Sequence, residues 1–267
     1  MRVRIRRCRS ALSKTGIPGA DFCVNPYLGC SHRCVYCYAT FMLRYTRIEE
    51  PWGSFVEAKI NLPELLRQER RQGRVILGTV CDPYQPVEAR FQLSRQVLEI
   101  LGGFGFSVEI LTKSDLVLRD IDLMQRHPSI SVELTLTTLD ERVRAFFEPG
   151  APPAVRRLKA AEELVRAGIP TTVFFGPVLP YFSDSEAKMT ELLQAIARTG
   201  VRRVLIDRFN YLRHKLPGFR SRLQKEFPLA LQSFVLLTER PDEYTSALRE
   251  RALRVLKKVG LEGGVVF

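Results

Sequence analysis

The chain has 267 residues, 45% hydrophobic and 26% charged, and its 41 Lys and Arg against 29 Asp and Glu leave a formal net charge of +12. This length and balance can bury a large core, which excludes a disordered or low-complexity protein, and no apolar run reaches the length of a membrane span. The cation surplus favours polyanionic partners, nucleic acid first.

The opening residues, Met1-Arg2-Val3-Arg4-Ile5-Arg6-Arg7-Cys8-Arg9, are basic and precede no apolar signal core, so the cytoplasm is the expected compartment. Six cysteines, three of them crowded, fit a reducing environment better than a disulfide scaffold. Residues 1–20 read as a basic arm entering the core through Gly16-Ile17-Pro18-Gly19. A short strand over 22–25 precedes the crowded cysteines, and 38–51 reads as loop with a helical turn. Asn61-Leu62-Pro63 then starts a helix that ends by Gly73. From there the pattern is regular. Strands over 75–80, 107–112, 130–137, 171–176 and 201–206 alternate with helices over 93–101, 115–126, 152–167 and 185–198. Alternation at this pitch means βαβ units with right-handed crossovers and a parallel sheet. The expected fold is α/β: a partial (β/α)6 parallel barrel over 21–210, with a C-terminal helical extension over 211–267 packed on it. That extension holds a helix over 243–259 and ends in Gly263-Gly264-Val265-Val266-Phe267, which could add an edge strand.

The densest chemistry lies in Asn25-Pro26-Tyr27-Leu28-Gly29-Cys30-Ser31-His32-Arg33-Cys34-Val35-Tyr36-Cys37-Tyr38, where Cys30, Cys34 and Cys37 form a C-x3-C-x2-C run. Thiolates this close repel one another unless a cation or cluster shares their charge. A tetrahedral zinc wants four ligands and would need Cys23 or His32 as the fourth. A [4Fe–4S] cluster held by three thiolates keeps one iron open to a small molecule with an amine and a carboxylate. In a parallel barrel the C-terminal strand ends carry the site. Here those ends hold the three cysteines, Thr79-Val80-Cys81-Asp82, Thr112-Lys113-Ser114, Thr135-Leu136-Thr137-Thr138, Pro177 to Tyr181, and Asp207-Arg208-Phe209-Asn210.

The cysteine run, down to Tyr36 before its last cysteine, resembles the cluster loop of radical S-adenosylmethionine (radical SAM) enzymes. Asn25-Pro26-Tyr27, Asp82-Pro83-Tyr84-Gln85-Pro86, Leu111-Thr112-Lys113, Thr137-Thr138-Leu139-Asp140 and Glu148-Pro149-Gly150-Ala151-Pro152 are similar to the spore photoproduct lyase-like branch, in order over 10–210. The resemblance implies a [4Fe–4S] cluster on Cys30, Cys34 and Cys37 with S-adenosylmethionine on the open iron. Reductive cleavage would give a 5′-deoxyadenosyl radical that takes hydrogen from a substrate, a nucleic acid in the case of a DNA lesion-repair lyase. An electron donor such as flavodoxin or ferredoxin is implied as well. Lys113 is a candidate for the cofactor carboxylate, Thr79, Asp82 and Thr135 for its amine, carboxylate or ribose, and Tyr36 for the adenine seat. Cys81, about fifty residues after Cys30, would be a hydrogen-atom donor by the same resemblance; a small buried hydrophobe is the other reading.

Between Asp207 and Arg222, Arg208, Phe209, Tyr211, Arg213, His214, Lys215, Phe219 and Arg220 interleave cations with aromatics, which suits backbone contact with base stacking; a solvated helix is the alternative. His32, His127, Glu148 and Arg157 have no role assignable from sequence. For the whole chain the alternatives are a zinc-stabilised nucleic-acid-binding module without catalysis, or a radical SAM enzyme acting on a peptide or small molecule.

Overall fold

The computed structural model describes residues 1–267. Its strands are β1 (Arg2–Arg6), β2 (Ser13–Lys14), β3 (Phe22–Val24), β4 (Tyr27–Leu28), β5 (Phe55–Lys59) and β6 (Arg74–Leu77). They continue with β7 (Ser107–Thr112), β8 (Ile130–Leu136), β9 (Thr171–Phe175), β10 (Arg203–Ile206) and β11 (Glu262–Val265). The main sheet runs β2-β3-β6-β7-β8-β9-β10-β11, parallel throughout except where β2 meets β3. A small sheet, β1-β5-β4, stands beside it.

Helices α1 (Leu62–Arg67), α2 (Glu88–Phe91), α3 (Leu93–Gly103), α4 (Ile121–Arg126) and α5 (Glu141–Phe147) alternate with the first strands. Then come α6 (Ala154–Arg166), α7 (Glu186–Arg198), α8 (Leu212–Glu226), α9 (Leu231–Glu239) and α10 (Pro241–Val259). The helix expected over 115–126 divides: Ser114 Oγ accepts the Leu116 N–H at 3.2 Å and opens a 3-10 turn over Asp115–Asp120 before α4. The short α5 was not anticipated, although Asp140 caps it through the Arg142 and Val143 N–H groups.

Strand alternation divides the sheet into two faces. Val75, Leu77, Val108, Ile110, Val132, Leu134, Val173, Phe175, Val204 and Ile206 pack outward into one core with Leu101, Leu164 and Leu193 of the covering helices. The other face is the barrel interior, where register sets Cys23 beside Ile76 and Glu109, and Glu133 beside Thr172 and Arg203.

Both ends of the chain are built into the sheets, and the C-terminal end carries the expected helix and edge strand. The basic arm is woven into both sheets: Arg2-Val3-Arg4-Ile5-Arg6 alternates with strand period, and Glu50 and Glu57 pair with its arginines. The expected extension is two separate pieces. Leu248, Ala252 and Val255 of α10 join the main core, and β11 adds a seventh parallel strand next to β10. By contrast, α8 and α9 form a second, aromatic core with α5, in which Phe146, Phe147, Phe209, Phe219 and Phe234 pack edge to face and stacked. No helix is long and apolar enough to cross a membrane.

Candidate functional site

The cysteine loop begins where Gly29, at φ +87°, turns the chain off β4; a side chain there would collide with the Phe55 carbonyl. Gln85 clamps this start from both sides. Its Oε1 accepts the Ser31 N–H at 2.9 Å and its Nε2 donates to the Gly29 carbonyl at 3.1 Å, fixing the backbone around the buried Cys30. On the far side the loop rests on residues 147–151. The Val35 N–H donates to the Phe147 carbonyl at 2.9 Å and the Gly150 N–H to the His32 carbonyl at 2.9 Å. A Cβ on Gly150 would strike the Ser31 carbonyl, so only glycine permits this approach.

Asp82 ties three strand ends together. Its carboxylate accepts the Tyr84 N–H at 2.9 Å, the Thr112 hydroxyl at 2.7 Å and the Lys113 N–H at 2.7 Å, and His32 Nδ1 stands 3.2 Å away. Burial would raise this carboxyl, but His32 and the Lys113 and Thr112 hydrogen bonds hold it down to about 2. Both carboxylate oxygens are thus committed to the protein. Asn25 performs a similar task one turn away: its Nδ2 donates to Thr79 Oγ1 at 2.9 Å and its Oδ1 accepts the Val80 N–H at 2.8 Å. The Tyr38 hydroxyl donates to the Thr79 carbonyl.

Tyr36 closes the other wall. Its hydroxyl donates to Glu148, which pairs with Arg157 at 2.5 Å; both charged side chains are buried. Arg157 also donates to the carbonyls of Pro152 at 2.8 Å and Thr135 at 3.1 Å, so this ion pair joins the cysteine loop to the end of β8. Lys113 Nζ lies 5.7 Å from the centre of the Tyr36 ring. Burial would lower its pKa, yet the Cys34 and Glu148 charges raise it above the ordinary lysine value.

Five buried polar atoms have no hydrogen-bond partner, and all lie in this neighbourhood or on the adjoining rim: Ser31 Oγ, His32 Nδ1 and Nε2, Trp52 Nε1 and Thr137 Oγ1. His32 Nδ1 is near Asp82 but is not aligned for a hydrogen bond. Burial raises the Cys37 thiol, and its own loop's backbone, the Lys113 and Lys215 charges and the nearby Trp52 indole offset part of that rise. Burial pushes all three thiols up, Cys34 to about 12. A group that takes these sulfurs must displace their protons, and the orphaned donors around them fit an anionic, acceptor-rich occupant. No three His, Cys, Asp or Glu side chains converge on a point where they could hold a single metal ion.

Cys30, Cys34, Cys37, Tyr36, Lys113, Asp82, Thr79 and Thr135 therefore share one rim, with Thr135 on the interior face of β8. Cys81 is placed otherwise. Its side chain is buried with Tyr27, Val56, Ala58, Val87 and Leu93 in a cluster between the two sheets, and burial pushes its thiol up to about 12. It lies in the bend that follows β6, and the half-exposed Cys23 is the thiol on the interior face of β3. Tyr84 is also buried, its hydroxyl donating to Asp120 at 2.9 Å. The Asp207 to Arg222 stretch keeps its cations outside but buries Phe209 and Phe219 in the aromatic core, so among its aromatics Tyr211 alone is exposed.

The sequence profile of the Radical SAM superfamily matches residues 24–207. An uncharacterized protein of Methanocaldococcus jannaschii is 37% identical over 180 residues, 67% of this chain and 69% of that protein. An uncharacterized protein of Mycobacterium tuberculosis is 33% identical over 278 aligned positions, 96% of this chain and 80% of that protein. A radical SAM Nalpha-GlyT isomerase of Pseudomonas phage M6 is 24% identical over 208 positions, 76% of this chain and 42% of that protein. Among solved structures, spore photoproduct lyase complexed with dinucleoside spore photoproduct superposes with a TM-score of 0.73 at 16% identity, covering 99% of this chain and 82% of that one. That likeness is one of fold.

Proposed function

The chain belongs to the radical SAM superfamily, and from that premise we propose that it is an enzyme that cleaves S-adenosylmethionine on a [4Fe–4S] cluster and takes a hydrogen atom from a nucleic-acid substrate. The observation that carries this reading is the buried three-thiol loop with unpartnered donors and a free ammonium gathered around it. When bound, the cluster and S-adenosylmethionine supply a one-electron cleavage that yields the 5′-deoxyadenosyl radical, with the electron drawn from a donor such as flavodoxin or ferredoxin.

Cys30, Cys34 and Cys37 would each hold one iron. Lys113 meets the cofactor carboxylate as a point charge, since its Nζ has no carboxylate of its own within ion-pair distance. Thr79 and Thr135 offer rim hydroxyls to the amine or ribose, and the Tyr36 segment seats the adenine. Asp82 acts at one remove, by fixing the backbone that presents Lys113. A zinc-held binding module is disfavoured by the radical SAM profile, which spans residues 24–207 and so takes in the cysteine loop and the barrel together. For the substrate, nucleic acid is favoured by the +12 charge, and a protein of like fold is described as a lyase complexed with a dinucleoside spore photoproduct.

Anaerobic reconstitution tests the reading. The protein should be brown, carry about four irons and form 5′-deoxyadenosine with dithionite, and alanine at Cys30, Cys34 or Cys37 should remove iron and cleavage together. A colourless protein with one zinc would overturn it. Incubation with photoproduct-containing DNA, against tRNA and peptide controls, then separates substrate classes.

A further inference from the structure

The 3-10 helix over Tyr38–Tyr45 leaves the cysteine loop and carries aromatic rings at the surface. Tyr38 is 45% exposed, Phe41 39% and Tyr45 75%, an unusual run of apolar surface on a cation-rich protein. The rings follow one another: Tyr38 and Phe41 lie 6.3 Å apart with planes 19° from parallel, and Phe41 meets Tyr45 edge to face at 6.3 Å. Because the Tyr38 hydroxyl is held by the Thr79 carbonyl, the first ring stands at the rim that carries the cysteine loop. The last ring borders a groove of about 690 Å³, which Arg4, Arg44 and Arg47 help to line. Glu50 and Glu57 partly neutralise the arginines of β1, but Arg44 and Arg47 make no ion pair. Lys215 of α8 donates to Thr40 at 2.6 Å and sets a further cation beside the helix.

We propose that this surface is the track for an unpaired nucleic-acid strand: bases stack on Tyr38, Phe41 and Tyr45 while the unpaired Arg44 and Arg47 follow the phosphates, delivering the target nucleotide to the cysteine-loop rim. The inference rests on the nucleic-acid reading above and gives it a place and a strandedness. Stacking platforms interleaved with unpaired cations bind single strands with little regard to sequence. A duplex offers no free base faces to such rings. The Asp207 to Arg222 stretch cannot do the same work, because its Phe209 and Phe219 are inside the aromatic core.

The test is fluorescence anisotropy of a labelled oligothymidylate of about 12 nucleotides against the anaerobically reconstituted protein over a range of salt. Three double variants are compared: Arg44→Glu/Arg47→Glu in the groove, Phe41→Ala/Tyr45→Ala on the ladder, and Arg198→Glu/Arg202→Glu near the opposite strand ends as a control of equal charge change. The groove variant should bind at least about tenfold more weakly at low salt and lose roughly 1.4 from its log–log salt slope, about 0.7 per phosphate contact. The ladder variant should lose about five- to a hundredfold per stacked base with its slope unchanged. The control should match the wild type. Iron content and melting temperature equal to wild type qualify each variant, and Arg44→Gln/Arg47→Gln replaces the groove variant if charge reversal unfolds it. If the wild type binds and the groove and ladder variants bind equally well, or if the control weakens as much as the groove variant, the track is wrong while the nucleic-acid reading stands. If the wild type shows no salt-dependent binding at all, the nucleic-acid reading falls and the track with it.

Discussion

The strand ends of β3, β6, β7 and β8 and those of β9 and β10 face the same rim but are built on opposite principles. The first four are cross-tied by polar side chains: Asn25 to Thr79 and Val80, Asp82 to Thr112 and Lys113, Gln85 across Cys30, and Glu148 with Arg157 beneath Tyr36. The last two run into phenylalanines, with Leu179, Phe182 and Phe209 entering the aromatic core of α5, α8 and α9. A polar tie holds one geometry because its partners are directional. An aromatic core supplies burial and tolerates repacking. The difference assigns precision to one half of the rim and support to the other.

The most severe test of that division compares Glu148→Gln with Phe234→Ala. Removing the charge opposite the buried Arg157 leaves it uncompensated and should cost about 3–5 kcal/mol, and emptying the Phe234 site should cost a similar amount. Denaturant melts should therefore look alike. Iron retention and 5′-deoxyadenosine formation, measured at a temperature where both variants remain folded, should separate them, with Glu148→Gln failing and Phe234→Ala near wild type. Equal loss of iron in both would erase the distinction between the two halves.

Glu133 tests whether the interior between the halves carries a charge. Its carboxyl faces Glu109 of β7 and has Lys113 and Arg203 as the nearest cations; burial, with Glu109, pushes it up to about 8 from an ordinary 4.5. The folded protein therefore holds a proton that the unfolded chain releases above about pH 4.5. Stability should fall as pH rises from there to about 8, by at most about 1.4 kcal/mol per unit, and level off beyond. Glu133→Gln should lose this slope and melt higher than wild type at pH 8.5, with little difference at pH 4. Parallel pH profiles of the two proteins would show that Glu133 titrates normally.

Much of this arrangement was legible in sequence, and the remainder was hidden for a physical reason. Strand and helix periods are local, so the barrel from β3 to β10 and the rim positions of the cysteines, Thr79, Lys113 and Thr135 could be read directly. The seventh strand was also marked, as an edge strand over Gly263 to Phe267, but its parallel pairing with β10 was not, because Glu262-Gly263-Gly264-Val265 has no alternation that would fix a neighbour. The ties escaped because their partners are distant: Ser31 and Gln85 are 54 residues apart and Tyr36 and Glu148 are 112 apart. Glu148, Arg157 and Gln85 stood inside recognisable motifs or beside them, yet nothing in a linear string says which loop will fold onto which. The single tryptophan, Trp52, carried no motif at all.

Lys113 bears on the polar half alone. Lys113→Ala should leave iron content intact and weaken S-adenosylmethionine binding about ten- to a hundredfold, the worth of a charge-assisted hydrogen bond of about 1.5–3 kcal/mol. Isothermal titration of the reconstituted protein reads this directly. An unchanged dissociation constant would return Lys113 to a supporting role over Tyr36.

Cys81 gives the smallest effect and marks the boundary of the polar half. Its position at a strand end suggested a thiol that returns hydrogen to a product radical. Such a donor must reach the interior, and the side chain of Cys81 is instead enclosed by Tyr27, Val56, Ala58, Val87 and Leu93. Its thiol donates to Asn25 Oδ1 at 3.7 Å, a side chain that itself ties Thr79 and Val80. Cys81→Ala should therefore cost about 1 kcal/mol of stability through a small packing defect, keep its iron, and give an unchanged ratio of product to side products. Cys23→Ala provides the contrast, because Cys23 shares the interior face of the sheet with Ile76 and Glu109. Product analysis by mass spectrometry in the two variants decides between them. A shift toward unquenched products in Cys81→Ala, with its melting temperature unchanged, would mean that the wall opens during turnover and that the buried thiol is chemically engaged after all.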